Sequence, residues 1–280
     1  MSETHVTAPT NFVEADGVKY AYRRWGREGA TPLIFIPHYR AGMDHWDPVI
    51  TDGLARDREV ILFNGRGVAS SSGEPRETIQ EMADDIAAFI RAIGLRQVDA
   101  VGFSIGGMQV QELALRHPEL VRKLLLLGTG PRGMVLGDDP RIVEVAGNPD
   151  PRAEDFLFLF FGRSEEAKAA GLAFWERRHR RTVDVDPPSS MDVARTQWPA
   201  VVTYMNQTAP DGPFDYLKAI TQPTLIVNGI DDIMIATTSS FDMARHIPDS
   251  QLILYPDSGH GAHFQYPERF VKHATQFLDE

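Results

Sequence analysis

Val98-Asp99-Ala100-Val101-Gly102-Phe103-Ser104-Ile105-Gly106-Gly107-Met108 is the stretch that decides how this chain folds. Residues 98–103 are mostly apolar and too few for a helix, so they read as a buried strand. The chain that follows, up to the His117-Pro118 pair, has helical character, which puts Ser104 on a strand-to-helix turn. A turn that sharp forces residue 104 into strained backbone geometry and presses helix against strand. Only flanking positions without a Cβ permit this, and Gly102, Gly106 and Gly107 supply them. The hydroxyl is left above the sheet. Gly-x-Ser-x-Gly alone is a weak signal, arising by chance in about one chain in ten of this length. Its place between strand and helix gives it weight.

Outward from this turn the pattern repeats. Residues 33–36, 60–63, 124–127, 224–227 and 251–255 are further short apolar runs that read as buried strands. Near the start, residues 11–15 and 18–22 flank Asp16-Gly17, a pair suited to a tight hairpin. Between strands lie helical segments, such as 78–93, where Met82, Ile86, Phe89 and Ile90 share one face and Gly94 supplies the stop. The alternation predicts an α/β fold, a mostly parallel central sheet flanked by helices, with ligands beyond the carboxyl ends of the strands. From Pro131 to Phe214 the rhythm breaks. Helix-like pieces at 164–181 and 191–206 sit between Pro- and Gly-containing joints with no convincing strand. This reads as a helical cap, 131–214, inserted between core segments 1–130 and 215–280. Its aromatic run 156–161 is suited either to lining a substrate pocket or to packing cap against core.

Composition narrows the chemistry. A chain of 280 residues, 42% hydrophobic, is long enough for one elaborated domain. Its formal charge of -11 repels phosphate backbones and anionic membrane surfaces, so neither nucleic acid nor a membrane is expected as a partner. Basic residues cluster only at Arg177, Arg178, Arg180 and Arg181, around His179, and read as a solvated helix face, with an anchor for an acidic substrate as the other reading. The absence of cysteine removes disulfides, thiolate metal sites and cysteine nucleophiles. No His-x-x-x-His spacing and no phosphate-cradling loop with a following Lys occurs, so no metal and no cofactor is expected. Residues 1–10 are polar, and no apolar run approaches the roughly 18 residues needed to span a bilayer, so a cytoplasmic protein is expected. Composition leaves a homo-oligomer open.

A serine hydroxyl needs a base within hydrogen-bond reach, and histidine has the suitable pKa. Of nine histidines, His260 stands out, because it follows strand 251–255 in the small-residue loop Pro256-Asp257-Ser258-Gly259-His260-Gly261. His263 is next, and reads as packing at the start of a final helix, 267–278. His5, His45, His117, His179, His246 and His273 lie in termini or helices and read as solvated or capping. His38 is given no chemical role. A carboxylate must hold the base in one tautomer, and strand 224–227 delivers Asn228-Gly229-Ile230-Asp231-Asp232. Spacing from that strand leaves Asp231 and Asp232 in competition, the other capping the next helix.

Ser104, Asp232 and His260, in the order Ser, Asp, His and each after a strand, resemble the α/β-hydrolase superfamily over nearly the whole chain. In that family the acid closes a Gly-x-x-Asp pattern, which Gly229-Ile230-Asp231-Asp232 matches with Asp232. The resemblance also implies an oxyanion hole from the backbone N–H of Ile105 and one in the loop after strand 33–36. There many members read His-Gly-x and this chain reads His38-Tyr39-Arg40, so Arg40 is implied, with Tyr39 as the alternative. Residues 64–71 are similar to the family's Asp-x-x-Gly-x-Gly-x-Ser turn, with Asn64 at the aspartate and Ala69 at a glycine. The implied function is a serine hydrolase that cleaves an ester or lactone bond of a small acyl substrate. Carbon–carbon bond hydrolysis or perhydrolysis on the same triad, or a non-catalytic small-ligand receptor, are the alternatives.

Overall fold

In a computed structural model, which describes residues 3–207 and 212–280, each short apolar run forms a strand. Residues 1–2 of the polar start and 208–211 near the end of the expected cap lie outside the described residues. The strands β1 (Asn11–Ala15), β2 (Val18–Gly26), β3 (Leu33–Ile36), β4 (Glu59–Phe63), β5 (Val98–Phe103), β6 (Val121–Leu127), β7 (Thr224–Gly229) and β8 (Ser250–Tyr255) make one sheet. Its order is β1-β2-β4-β3-β5-β6-β7-β8. The β1–β2 hairpin closes on Asp16 and Gly17, both at positive φ, as an Asp-Gly turn requires. The pairings β1–β2 and β2–β4 are antiparallel; from β4 through β8 every pairing is parallel. Parallel neighbours need crossovers, and helices provide them.

Helices cover both faces. They are α1 (Pro48–Leu54), α2 (Ile79–Ala92), α3 (Ile105–Arg116), α4 (Arg141–Ala146), α5 (Ala153–Phe160), α6 (Glu165–Arg178), α7 (Met191–Met205), α8 (Thr238–His246), α9 (Ala262–Gln265) and α10 (Pro267–Asp279). Because strand side chains alternate, Leu33 and Phe35 enter one core while Ile34 and Ile36 enter the other. The first core is closed by α1 and α10, through Ile50, Leu54, Phe270 and Phe277. The second is closed by α2, α3 and α8, where Ile86, Phe89, Leu113 and Met243 are buried, each contributing about 2 kcal/mol of apolar burial. Thr78 caps α2 by accepting from the Glu81 amide at 3.2 Å, and Gly94 at φ +79 ends it.

Between β6 and β7 the described residues form α4 to α7 and no strand of the sheet. Single bridges, Leu136 with Ile235 and Phe161 with Ser258, tie this helical insertion to the loops after β7 and β8. The arginine cluster here is not a solvated helix face. On α6 the buried positions are Ala167, Gly171, Phe174 and Arg178, so Arg178 extends the inward stripe. Arg177 pairs with buried Asp47 at 2.6 Å. Arg181, beyond the helix, is buried and donates to the carbonyls of His5, Val6 and Ala8. Arg180 alone of the four is exposed.

His5 is likewise not solvated. It is buried, with Nδ1 2.9 Å from Thr51 Oγ1, and burial pulls its pKa down to about 3. Below the ordinary value of 6.5 the unfolded chain therefore binds a proton here that the folded chain does not. The stabilisation is complete above that pH and is lost at about 1.4 kcal/mol per unit as pH falls towards the folded value. Urea unfolding at pH 7 and pH 5 should show a loss to which His5 contributes about 2 kcal/mol. His5→Gln should shrink that loss, and an equally steep loss in the variant would contradict the assignment.

Candidate active site

The loops at the carboxyl ends of the parallel strands carry every candidate residue. Ser104 follows β5 directly and adopts φ 58, ψ −122, a region that non-glycine residues rarely occupy. Space around it is tight: a Cβ on Gly102 would lie 2.4 Å from the Gly106 carbonyl, and one on Gly106 2.2 Å from that of Ile36. The Ser104 amide donates to the Leu127 carbonyl at 2.9 Å, and Thr129 Oγ1 donates to the Ser104 carbonyl at 2.8 Å. These bonds fasten the elbow to β6. Ile105 is the first residue of α3, so its N–H has no intrahelical acceptor.

His260 leaves the end of β8, and its Nδ1 lies 2.8 Å from Asp232 Oδ2, with both side chains fully buried. An ionised carboxylate only accepts, so Nδ1 carries the proton and Nε2 keeps its lone pair. The other oxygen of Asp232 accepts from the amides of Met234 at 2.8 Å and Ile235 at 3.1 Å, which fixes the carboxylate in its turn. Asp231 is exposed, and neither aspartate caps α8, whose N-cap is Thr237. The imidazole rests against Phe103 at 5.0 Å and Phe160 at 5.7 Å between ring centres. Its Nε2 is buried and has no hydrogen-bond partner, so the structure joins Asp232 to His260 but forms no bond from His260 to Ser104.

His263 is not at the start of the final helix. It lies in the short α9, buried 4.5 Å from Phe103, and burial holds its pKa well below the ordinary range. His117 meets Asp84 at 2.8 Å, His246 its own helix at the Asp242 carbonyl, and His273 the Tyr255 hydroxyl. His179 is exposed. His45 is not solvated but does cap: its Nδ1 accepts from the Gly42 amide at 3.2 Å at the start of the short turn 43–45, and it also lines the cavity beside Ser104, 5.4 Å from the ring of buried His38. Burial first, and then the charge of Arg178, hold both of these histidines well below their ordinary pKa.

The loop that lacks the family glycine is bound to the helical insertion. Arg40 sits at φ 60, and its amide donates to Gln197 Oε1 at 2.8 Å. Its guanidinium donates to the Asn148 carbonyl at 2.8 Å, and the Tyr39 hydroxyl to that of Ala194 at 3.1 Å. The Arg40 amide is thus committed, whereas the Tyr39 amide makes no hydrogen bond among the described residues. The cavity above Ser104 holds about 350 Å³, and Phe156, Phe160, Trp175 and Arg178 line it. Phe161 instead packs on Phe174, so the aromatic run divides between pocket wall and packing. The sequence names Arg178 only within a cluster suited to a solvated face or an acidic-substrate anchor, and His45 only as solvated or capping. Arg178 had a signal in its stripe spacing with Ala167, Gly171 and Phe174; His45 had none.

Asn64 explains its own departure from the family aspartate. Its Oδ1 accepts from the Met43 amide at 2.9 Å while its Nδ2 donates to Asp186 Oδ1 at 2.8 Å. Burial and the nearby Asp44 already push the Asp186 carboxyl up. A carboxylate at position 64 would remove that donor and repel Asp186. Asn64→Asp should cost roughly 2–3 kcal/mol in chemical denaturation, and Asp186→Asn in the same chain should restore most of it. Independent, additive losses would contradict the contact.

No helix among the described residues is long and apolar enough to cross a membrane. A family model described as the alpha/beta hydrolase fold matches residues 31–267. The structure of an alpha/beta hydrolase fold protein from Chitinophaga pinensis superposes with a TM-score of 0.93 at 37% identity, covering 99% of this chain and 100% of that one. A putative carbamate hydrolase, RutD, of Rhizobium rhizogenes is 28% identical over 261 residues, 90% of this chain and 94% of its own. The bifunctional esterase/perhydrolase DCH of Acinetobacter calcoaceticus is 26% identical over 280 residues, 94% of this chain and 97% of its own. With the family model matched over most of the chain, and a sheet order and strand-end elbow in keeping with it, the chain belongs to the α/β-hydrolase family.

Proposed function

We propose that this α/β hydrolase is a serine hydrolase that cleaves an ester or lactone bond of a small molecule through an acyl-enzyme on Ser104. One observation carries the reading: a buried Asp232–His260 pair with a free Nε2 lies at the same carboxyl end of the sheet as a serine elbow that opens on a cavity. Ser104 Oγ attacks the carbonyl carbon and passes its proton to His260 Nε2, while Asp232 holds the imidazolium. That step needs Oγ and Nε2 to close to hydrogen-bond distance, a tightening that bound substrate commonly brings. Negative charge develops on the carbonyl oxygen, facing the Ile105 N–H and the positive end of α3. The second donor is the Tyr39 amide; Arg40 serves only if Gln197 releases it.

The carbon–oxygen bond then breaks, and the leaving oxygen takes the proton from His260. Water attacks the acyl carbon, giving one proton to His260, which returns it to Ser104 as the acid departs. Helices α4 to α7 act as a cap, with Phe156 and Phe160 bounding a cavity at the small end of the ligand-site range. The relatives that are a putative carbamate hydrolase and an esterase/perhydrolase support acyl chemistry here, perhydrolysis included. A second reading, a small-ligand receptor in which Ser104 is not activated, is favoured by the lack of a hydrogen bond between His260 and Ser104.

Ser104→Ala should abolish hydrolysis of p-nitrophenyl esters, and retained activity would discard the nucleophile. Asp232→Asn should lower kcat by about 10⁴-fold through the wrong tautomer. A fluorophosphonate probe should label Ser104; ligand binding without labelling would select the receptor.

A further inference from the structure

Arg178 ends α6 with its guanidinium 4.7 Å from the Phe156 ring centre and 5.3 Å from that of Trp175. It is buried, and its Nε and Nη1 have no hydrogen-bond partner. Asp44, the one acid that contributes to its environment, is taken by Arg23 and by the Asp186 amide. The other acids on the cavity wall are occupied or outward. Asp186 serves Asn64, Ser70 and the Met43 amide; Asp155 serves Asn148 and the Arg152 amide; Asp150 is exposed. His38 and His45, which face the same space, are held neutral. Burial brings the Arg178 pKa down to about 10, which still leaves it charged at neutral pH.

A cation taken out of water without a counter-charge is costly, and the aromatic faces that flank this one satisfy only part of its need. Those rings lie against the guanidinium carbon and offer no oxygen acceptor, whereas the N–H groups are what match a carboxylate. Arg178 is one of the residues that line the cavity onto which Ser104 opens. We propose that the substrate carries a carboxylate, remote from the bond that is cleaved, and that Arg178 recognises it inside this cavity. The assignment of Arg178 as a positioning group for a substrate rests on the reading of Ser104 as the nucleophile; carboxylate binding by itself does not.

The test compares p-nitrophenyl hemisuccinate with the butyrate, and the hemiglutarate with the valerate, so that a carboxylate replaces a terminal methyl. The wild type should prefer the anionic member in kcat/KM, and Arg178→Met, which keeps apolar contact with Phe156 and Trp175, should collapse that preference ratio by roughly 100-fold. A wild type without preference, or a ratio unmoved by the substitution, overturns the proposal. Calorimetric titration of glutarate into Ser104→Ala separates this proposal from the nucleophile reading. Binding that disappears in Ser104→Ala/Arg178→Met supports Arg178 even if no ester is turned over, and absence of binding overturns it. Equal binding of inorganic phosphate marks a general anion hole and overturns recognition of a carboxylate. Should Arg178→Met fail to fold by circular dichroism, Arg178→Lys, which keeps charge without the planar fork, should weaken glutarate at least tenfold, and unchanged affinity overturns the proposal.

Discussion

A carboxylate and an imidazole held 2.8 Å apart with no access to water form the contact on which the functional account depends. Burying Asp232 is tolerable only because its oxygens are filled by two backbone amides and one ring N–H. Taking away one partner from such a pair typically costs about 3–5 kcal/mol, so the loop after β7 and the loop after β8 are bound to each other energetically as well as chemically. The sheet prepares this. β7 and β8 are parallel neighbours in register from Thr224 with Ser250 to Gly229 with Tyr255, so both loops leave the same edge side by side. The same carboxyl end of the sheet carries the serine elbow, whose strained backbone is held by hydrogen bonds to β6 and to Thr129 just beyond it rather than by local preference.

The helical insertion is joined to the core by apolar packing, Phe160 on Phe103 and Phe174 on Phe264, and by a set of polar contacts. Arg177 reaches Asp47, Arg181 collects three carbonyls of the N-terminal segment, and Asp186 joins Asn64 and Ser70. Gln197 and the Asn148 carbonyl take hold of Arg40. These bonds place the loop after β3, and with it a candidate oxyanion donor, under the influence of residues far away in sequence. Motion of the insertion would therefore alter the reactive edge as well as the entrance.

The sheet was legible because its evidence is local. Strand run 33–36 is apolar throughout and 98–103 is apolar but for Asp99, since both faces are covered, and α2 announces its buried face and its stop. The elbow was legible because close packing restricts its neighbours to glycine. Asp232 over Asp231 came from resemblance, and the geometry shows the physical difference: one is buried on the histidine, the other points to solvent. What could not be read were partners brought by tertiary folding. Tyr39 is 155 residues from the carbonyl it meets, and Arg181 is 176 from that of His5. An arginine-rich helix end looks solvated until the surface it packs against is known, and His5 looks like a loose terminus until Thr51 is beside it.

The most direct measurement is quenched-flow mass spectrometry of the protein with a p-nitrophenyl ester, followed by peptide mapping. A transient acyl adduct should form on the peptide containing Ser104 and be lost when His260 is replaced by glutamine. Turnover that proceeds with the acyl group on another residue, or with no adduct under conditions that trap one, would contradict the acyl-enzyme reading.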